Sequence, residues 1–274
     1  MTCRRRALAG IAAVLLVSGP ARNAVAQSCP RGVLPAYSHN DYENARPLAD
    51  ALALGYRGVE ADVFLVDGVL RVGHDRRRAR RSASLEALYL LPLHALVSRC
   101  GHLTSDSVPF LLTIEVKESS EATHDSLVAL LRRYPALQER SATVSTPIQI
   151  IAVGWRPPSR GSAPPGRMPD GGDLAWQYRL ARRDTSGIGG LETNVRLVSL
   201  DYGKTMGRWW TSAGRRRKWI ATLRQVKLAT PGRLLRVHNV PPHPQVYAEL
   251  LNAGVDLIGT KQLAKTARLL LDVW

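Results

Sequence analysis

Short runs of aliphatic and β-branched residues alternate with longer stretches of helical period along most of the chain, and this alternation leaves few folds open. The spacing predicts strands at 33–38, 57–63, 110–116, 148–153, 196–200, 233–237 and 255–259. Helices are predicted at 47–54, 84–99, 120–133, 217–228, 244–253 and 261–272. Strands separated by helices build a parallel sheet, because a parallel pair needs a long crossover connection. An eighth strand is expected near 173–178, behind a loop broken by Pro157, Pro158, Pro164, Pro165, Gly171 and Gly172. The pattern predicts an α/β chain folded as a single (β/α)₈ barrel.

Length agrees. The chain opens with Arg4, Arg5 and Arg6, runs apolar from Ala7 to Val17 and reaches the small-residue pattern Ala24-Val25-Ala26, which reads as a signal peptide over 1–26. An exported protein, periplasmic or secreted after cleavage near Ala26, is the expectation. Removing 26 of 274 residues leaves 248, close to the roughly 250 of one such barrel, so 27–274 is read as one domain. Cys29 and Cys100 then remain as a pair able to form a disulfide.

The four arginines of the leader account for part of the formal net charge of +16, leaving +12 for the rest. Basic runs at 76–81 and 215–218 favour anionic partners, including peripheral contact with an anionic membrane. They are not interleaved with aromatics and no nucleic-acid module is present, so no nucleic acid is expected as a partner. Trp209, Trp210 and Trp219 are read as core.

Acids inside predicted strands carry the chemistry. In Gly58-Val59-Glu60-Ala61-Asp62-Val63, Glu60 and Asp62 stand two apart and leave one face of the strand together. Leu112-Thr113-Ile114-Glu115-Val116-Lys117 repeats the device with an acid and a lysine. A charge within a barrel is costly unless paired or bound to metal. If the two strands are neighbours, Glu60, Asp62 and Glu115 converge at the C-terminal rim, where barrel active sites lie. Oxygen ligands alone suit one hard divalent cation, Mg²⁺ or Ca²⁺. The alternative is a buried Glu-Lys ion pair with one further satisfied acid.

His39 ends the first strand in Ser38-His39-Asn40-Asp41-Tyr42-Glu43. His74 follows a hairpin signal at Asp67-Gly68, within Val72-Gly73-His74-Asp75. Two histidines at one rim can divide general acid from general base near neutral pH. His94, His102, His124 and His243 are read as incidental, and His238-Asn239 as a loop cap in the first place or a lining of the substrate pocket in the second.

The order His-Asn, Glu-x-Asp, His-Asp, Ile-Glu-x-Lys resembles the superfamily of glycerophosphodiester phosphodiesterases and phosphatidylinositol phospholipases C. The stretch from Ser38 through Pro47-Leu48, Gly55 and Val59–Val63 to His74-Asp75 is most similar to the subgroup named after the altered-inheritance-of-mitochondria protein. The resemblance implies action on a small-molecule or lipid phosphodiester. It implies His39 and His74 as the acid-base pair, and Glu60, Asp62 and Glu115 as metal ligands. Lys117 and Asn40 would then contact the substrate phosphate. Asn40 stands where the glycerophosphodiesterase branch commonly has arginine, and Thr260-Lys261 where the family has Thr-Asp. From a different class, a non-catalytic barrel that binds anionic lipid or polyphosphate through its basic surface would also fit the charge.

Overall fold

The structure is a computed structural model, and it describes residues 29–104, 108–118, 120–137, 147–154, 175–180, 188–191 and 194–274. The expected leader over 1–26 and most of the proline-rich loop lie outside the described residues.

Eight parallel strands form a ring: β1 (Leu34–Ser38), β2 (Tyr56–Val66), β4 (Phe110–Val116), β5 (Ile148–Gly154), β6 (Ala175–Arg179), β7 (Val195–Asp201), β8 (Leu234–His238) and β9 (Leu257–Thr260). β9 pairs with β1, and β1 with β2, which joins the two ends of the sheet. The expected strands and the predicted eighth, β6, are all present. One strand was not separately expected. β3 (Val69–Val72) returns antiparallel along β2, from Val66↔Val69 to Val63↔Val72, and makes an arm of the hairpin signal. Its turn is Asp67-Gly68 with both φ angles positive, at 50° and 75°, the conformation that matches strand twist.

Helices cover the outside: α1 (Ala49–Ala53), α2 (Arg76–Ala79), α3 (Leu91–Cys100), α4 (Glu121–Leu131), α5 (Tyr202–Met206), α6 (Ala213–Ala229), α7 (Pro244–Asn252) and α8 (Leu263–Val273). Alternation along each strand separates two cores. Val59, Ala61, Val63, Leu112, Ile114, Ile150, Ala152, Val198, Leu235 and Val237 point outward into the large cluster beneath the helices. Tyr37, Leu111, Ile151, Leu197 and Leu257 form a second cluster inside the ring, each contributing about 1.5–3 kcal/mol by leaving water. Gly58 shares that level because a Cβ there would lie 2.8 Å from Leu111 and 2.9 Å from Tyr37. One step up each strand, Glu60 registers with Thr113 and Ser199 with Arg236; the next step sets Asp62 beside Glu115 and Asp201 beside His238. The interior thus turns from apolar to charged toward the C-terminal rim.

Cys29 and Cys100 are bonded, with Cα atoms 5.6 Å apart, which ties the chain entering β1 to the end of α3. Trp219 is buried and meets Tyr202 edge-on, with ring centroids 4.9 Å apart, and Trp210 is partly buried against the same core. Among the described residues no helix is long and apolar enough to cross a membrane.

Candidate active site

The adjacency of β2 and β4 brings the three predicted acids together. Glu60, Asp62 and Glu115 each offer an oxygen within 4.8 Å of the others, and Glu60 and Asp62 are buried. Three carboxylates at that spacing repel, and the protein answers with three cations. Arg236, rising from β8, places Nη1 3.5 Å from Glu60 Oε1 while its guanidinium carbon lies 4.5 Å from the centre of the Tyr37 ring. Lys117 Nζ sits 3.1 Å from both Asp62 Oδ2 and Glu115 Oε1. Arg179, the last residue of β6, reaches Glu115 Oε2 at 2.5 Å. Burial alone would push Glu60 up, but Arg236 and then His39 overcome it and hold its carboxyl below the ordinary value. Burial likewise works against the charge on Lys117, and Asp62 and Glu115 outweigh it, raising its pKa.

The ion-pair alternative is therefore realised in part, since Lys117 does bridge two of the acids. It does not use every oxygen. Glu60 Oε2 and Asp62 Oδ1 are buried without any hydrogen bond, an arrangement that costs free energy unless a ligand completes it. These two atoms and the hard-oxygen character of the set fit one divalent cation held by Glu60, Asp62 and Glu115.

The predicted histidines flank this set on different sides. His74 Nδ1 lies 3.1 Å from Asp62 Oδ2. A carboxylate only accepts, so Nδ1 carries the proton in that contact and Nε2 is left facing outward from a half-exposed ring. Tyr42 Oη donates to the same Asp62 oxygen at 2.8 Å; burial first, and then that carboxylate, raise the phenol's pKa. His39 Nε2 is 3.6 Å from Glu60 Oε2. Burial lowers its pKa against the opposing pull of Glu60. The loop after His39 is fixed by Asp41, whose Oδ2 accepts from the Leu48 amide at 2.6 Å and from Tyr89 Oη at 3.0 Å.

Asn40 is placed differently from the other predicted residues. It is buried in the left-handed conformation (φ 50°, ψ 53°); its side-chain amide donates to Glu43 at 3.4 Å, while its backbone amide helps to hold the charge on Glu60. Glu43 in turn pairs with Lys261 at 2.9 Å.

Three residues of the rim escaped the sequence reading. Arg236 obeys the rule that singled out Glu60: a charge set within a buried run, here Leu234-Leu235-Arg236-Val237-His238. Arg179 was hidden in a strand with little periodicity to announce it. His238, read first as a loop cap and second as a lining of the pocket, faces the site, its ring 5.1 Å from that of His39. It fits because Gly259 beside it has no side chain; a Cβ there would lie 2.8 Å from His238 Cβ. Burial, and then the nearby Arg236, push the His238 pKa down to about 2. Of the histidines read as incidental, His124 is buried beside Asp125 and His94 packs edge-on against Tyr134.

Residues 27–159 match the AIM6-like phosphodiesterase domain. This bears out the resemblance drawn from the motif order, and it is consistent with the phospholipase C-like phosphodiesterase superfamily. The AIM6-like stretch, a little under half of the chain, contains both predicted histidines, all three acids and Lys117. Among similar proteins, the altered inheritance of mitochondria protein 6 homolog of Arthroderma benhamiae is 27% identical over 198 residues, 62% of this chain and 61% of that protein. The altered inheritance of mitochondria protein 6 of Saccharomyces cerevisiae is 37% identical over 76 residues, 27% of this chain and 20% of its own length. The chain thus spans less than two thirds of the length of these relatives. A solved glycerophosphodiester phosphodiesterase from Agrobacterium tumefaciens superposes with TM-score 0.49 at 14% identity, covering 86% of this chain and 99% of its own; the barrel here rests on its own strand pairings.

The relatives correct one expectation. Their names refer to the inheritance of mitochondria and point to a mitochondrial location, which overturns the export read from the first 26 residues. The physical reason is that an arginine-bearing, acid-free leader is also what mitochondrial targeting segments look like, so its composition does not separate the two.

Proposed function

We propose that the chain is a metal-dependent phosphoric diester hydrolase acting on a glycerophosphodiester or phospholipid-type substrate. The observation that carries this reading is the pair of buried oxygens that accept no hydrogen bond, Glu60 Oε2 and Asp62 Oδ1, in a three-acid set flanked by two histidines. A bound Mg²⁺ or Ca²⁺ would supply Lewis-acid charge at a phosphate oxygen. The chain's own groups do the rest. Asp62 orients His74 so that Nε2 faces the substrate side, and His39 occupies the Glu60 side. Between them the two rings take a proton from the attacking water, or from a neighbouring substrate hydroxyl, and return one to the leaving alcohol. Attack by a substrate hydroxyl would give a cyclic phosphate instead of a monoester. Lys117, a compact point charge, neutralises a non-bridging oxygen. The AIM6-like match supports the reaction class, and the exposed arginines at 76–78, directly after His74, support approach to an anionic lipid surface.

One observation favours a non-catalytic barrel that binds anionic lipid or polyphosphate: Arg236, Lys117 and Arg179 already balance the three acids in charge. Such a protein would bind lipid vesicles in a salt-sensitive way that is indifferent to Glu60→Ala. The deciding measurement is phosphorus NMR of the protein with glycero-, lyso- and sphingo-phosphodiesters, with Mg²⁺ or Ca²⁺ and again with chelator. A new, metal-dependent resonance is expected, its shift separating monoester from cyclic product. Unchanged spectra throughout, with vesicle binding that survives Glu60→Ala, would decide for the binding protein.

A further inference from the structure

The three cations that neutralise the acids are not equally free to move. Arg236 is 2% exposed, and its guanidinium is held between Glu60, the Tyr37 ring and Ser199 Oγ, to which Nε donates at 3.1 Å. Lys117 is 20% exposed and gripped by two carboxylates. Arg179 is 54% exposed at the end of β6, and one carboxylate oxygen, Glu115 Oε2, holds it. A single carboxylate oxygen engages only one or two of the five guanidinium donors.

Charge counting shows why the difference matters. Three acids and three cations sum to zero, so a divalent cation held by Glu60, Asp62 and Glu115 leaves the centre two charges positive. Glu115 would also exchange its arginine contact for the cation, releasing a planar, permanently charged fork within reach of the same spot. From this geometry we infer that Arg179 is a phosphate-binding residue that parks on Glu115 and transfers to the substrate's non-bridging oxygens when the three acids take up a divalent cation. The inference rests on the phosphodiesterase reading and adds to it a second cation, delivered from β6 on the side of the ring away from His74. Its influence across the rim is already visible, because Arg179 is among the charges lowering the pKa values of Glu60 and His238. A guanidinium suits the role because it binds two phosphate oxygens at once, which an ammonium does not.

The test uses Mn²⁺ as the cation and inorganic phosphate as the probe. Electron paramagnetic resonance measures Mn²⁺ affinity, and Mn²⁺-induced relaxation of the phosphate ³¹P signal measures phosphate held beside the ion. Relaxation falls steeply with distance, so phosphate on remote surface arginines contributes little. Arg179→Gln is expected to bind Mn²⁺ as tightly as the unaltered protein or more tightly, because a competitor for Glu115 is gone. Its phosphate affinity in the Mn²⁺ complex should fall about tenfold or more, as expected for lost hydrogen bonds to a charged group. Arg179→Lys should recover only part of the loss. Wild-type phosphate affinity in Arg179→Gln overturns the inference, and so does parallel loss of Mn²⁺, which would make Arg179 a structural partner of Glu115. Failure of the unaltered protein to bind Mn²⁺ at all would remove the phosphodiesterase reading together with the inference. Mn²⁺ binding with no relaxation of phosphate would remove the inference alone. Unchanged thermal melting checks that the half-exposed substitution leaves the fold intact.

Discussion

Two strands of the ring end in the same dipeptide. β1 runs into His39-Asn40 and β8 into His238-Asn239, with both asparagines left-handed at φ 50° and 56°. Each histidine turns inward beside an acid, His39 at 3.6 Å from Glu60 and His238 at 3.7 Å from Asp201. Each asparagine amide donates to an acid close by, Glu43 at 3.4 Å and Asp201 at 3.0 Å. The rings touch, yet their surroundings differ. His39 abuts the three-acid centre, whose negative charge works to sustain a proton on it. His238 has Arg236 two residues before it, and that guanidinium, after burial, is the main cause keeping the ring neutral. The same local device yields a proton-transfer candidate at the end of β1 and a neutral wall two strands away at the end of β8. What separates them is Glu60 on the strand beside His39 and Arg236 on the same strand as His238.

The largest test of that contrast is catalytic. His39→Ala should cut turnover of a cleaved diester by about 10²–10⁴-fold, the usual worth of general acid-base catalysis, while Mn²⁺ affinity stays near normal. His238→Ala should cost less than about tenfold, on the same reasoning that a neutral wall moves no proton. Steady-state rates for the two variants settle it, and equal losses would break the comparison.

Their partner acids should differ next. Glu60→Gln leaves Arg236 buried without its counter-charge, which costs about 3–5 kcal/mol of stability and removes a metal ligand. Asp201→Asn keeps a side chain able to cap α5, where Asp201 accepts from the Lys204 amide at 2.9 Å, so its cost should stay within about 1 kcal/mol. Urea unfolding with and without Mg²⁺ measures both, and Mg²⁺ should stabilise Asp201→Asn but not Glu60→Gln.

The neutral state of His238 has a signature in pH. Its folded pKa is depressed to about 2, whereas the unfolded chain takes up that proton near pH 6.5. The contribution to stability is therefore complete above about pH 6.5 and is lost as the solution is acidified, by at most about 1.4 kcal/mol per pH unit. Between pH 7 and pH 5 the unfolding free energy of the unaltered protein should fall more than that of His238→Asn, and identical slopes would sink the assignment. The smallest effect belongs to the turns. Asn40→Ala and Asn239→Ala should each lose about 1 kcal/mol, because alanine resists the left-handed conformation. Glycine at either position should be close to neutral, as thermal melts can check.

The barrel was legible because its cause is local. Alternating runs of period 2 and period 3.6 repeat through the chain, and β1, β4, β5, β7 and β8 fall within two residues of where the pattern puts them, with the Asp67-Gly68 turn as expected. The meeting of Glu60, Asp62 and Glu115 was legible for a related reason, since neighbouring strands in a ring have nearly forced register. The basic half of the rim was not. Arg236, His238 and Arg179 come from strands far from β2 in sequence, and nothing along the chain marks Arg236 as the partner of Glu60 across the inside of the ring. Asn40 shows the converse limit. Its neighbours in the motif stand as the resemblance implies, but the amide orientation depends on Glu43 and the left-handed backbone, which only coordinates reveal.

The hairpin arm has a bearing on how the molecule can be altered. Its base pair, Val63↔Val72, together with the Gly73 amide bonded to the Asp62 carbonyl at 3.0 Å, fixes where the chain re-enters the rim before His74. Beyond that base Phe64 and Val66 pack on Ala79 and Leu70 joins the main core, while the tip, Asp67-Gly68, is exposed. The packed body of the arm therefore anchors the turn, and the tip alone is free of the core. Matched additions to its two sides keep the parity of the pleat, making the tip a natural port for a fluorophore, an affinity handle or a grafted recognition loop.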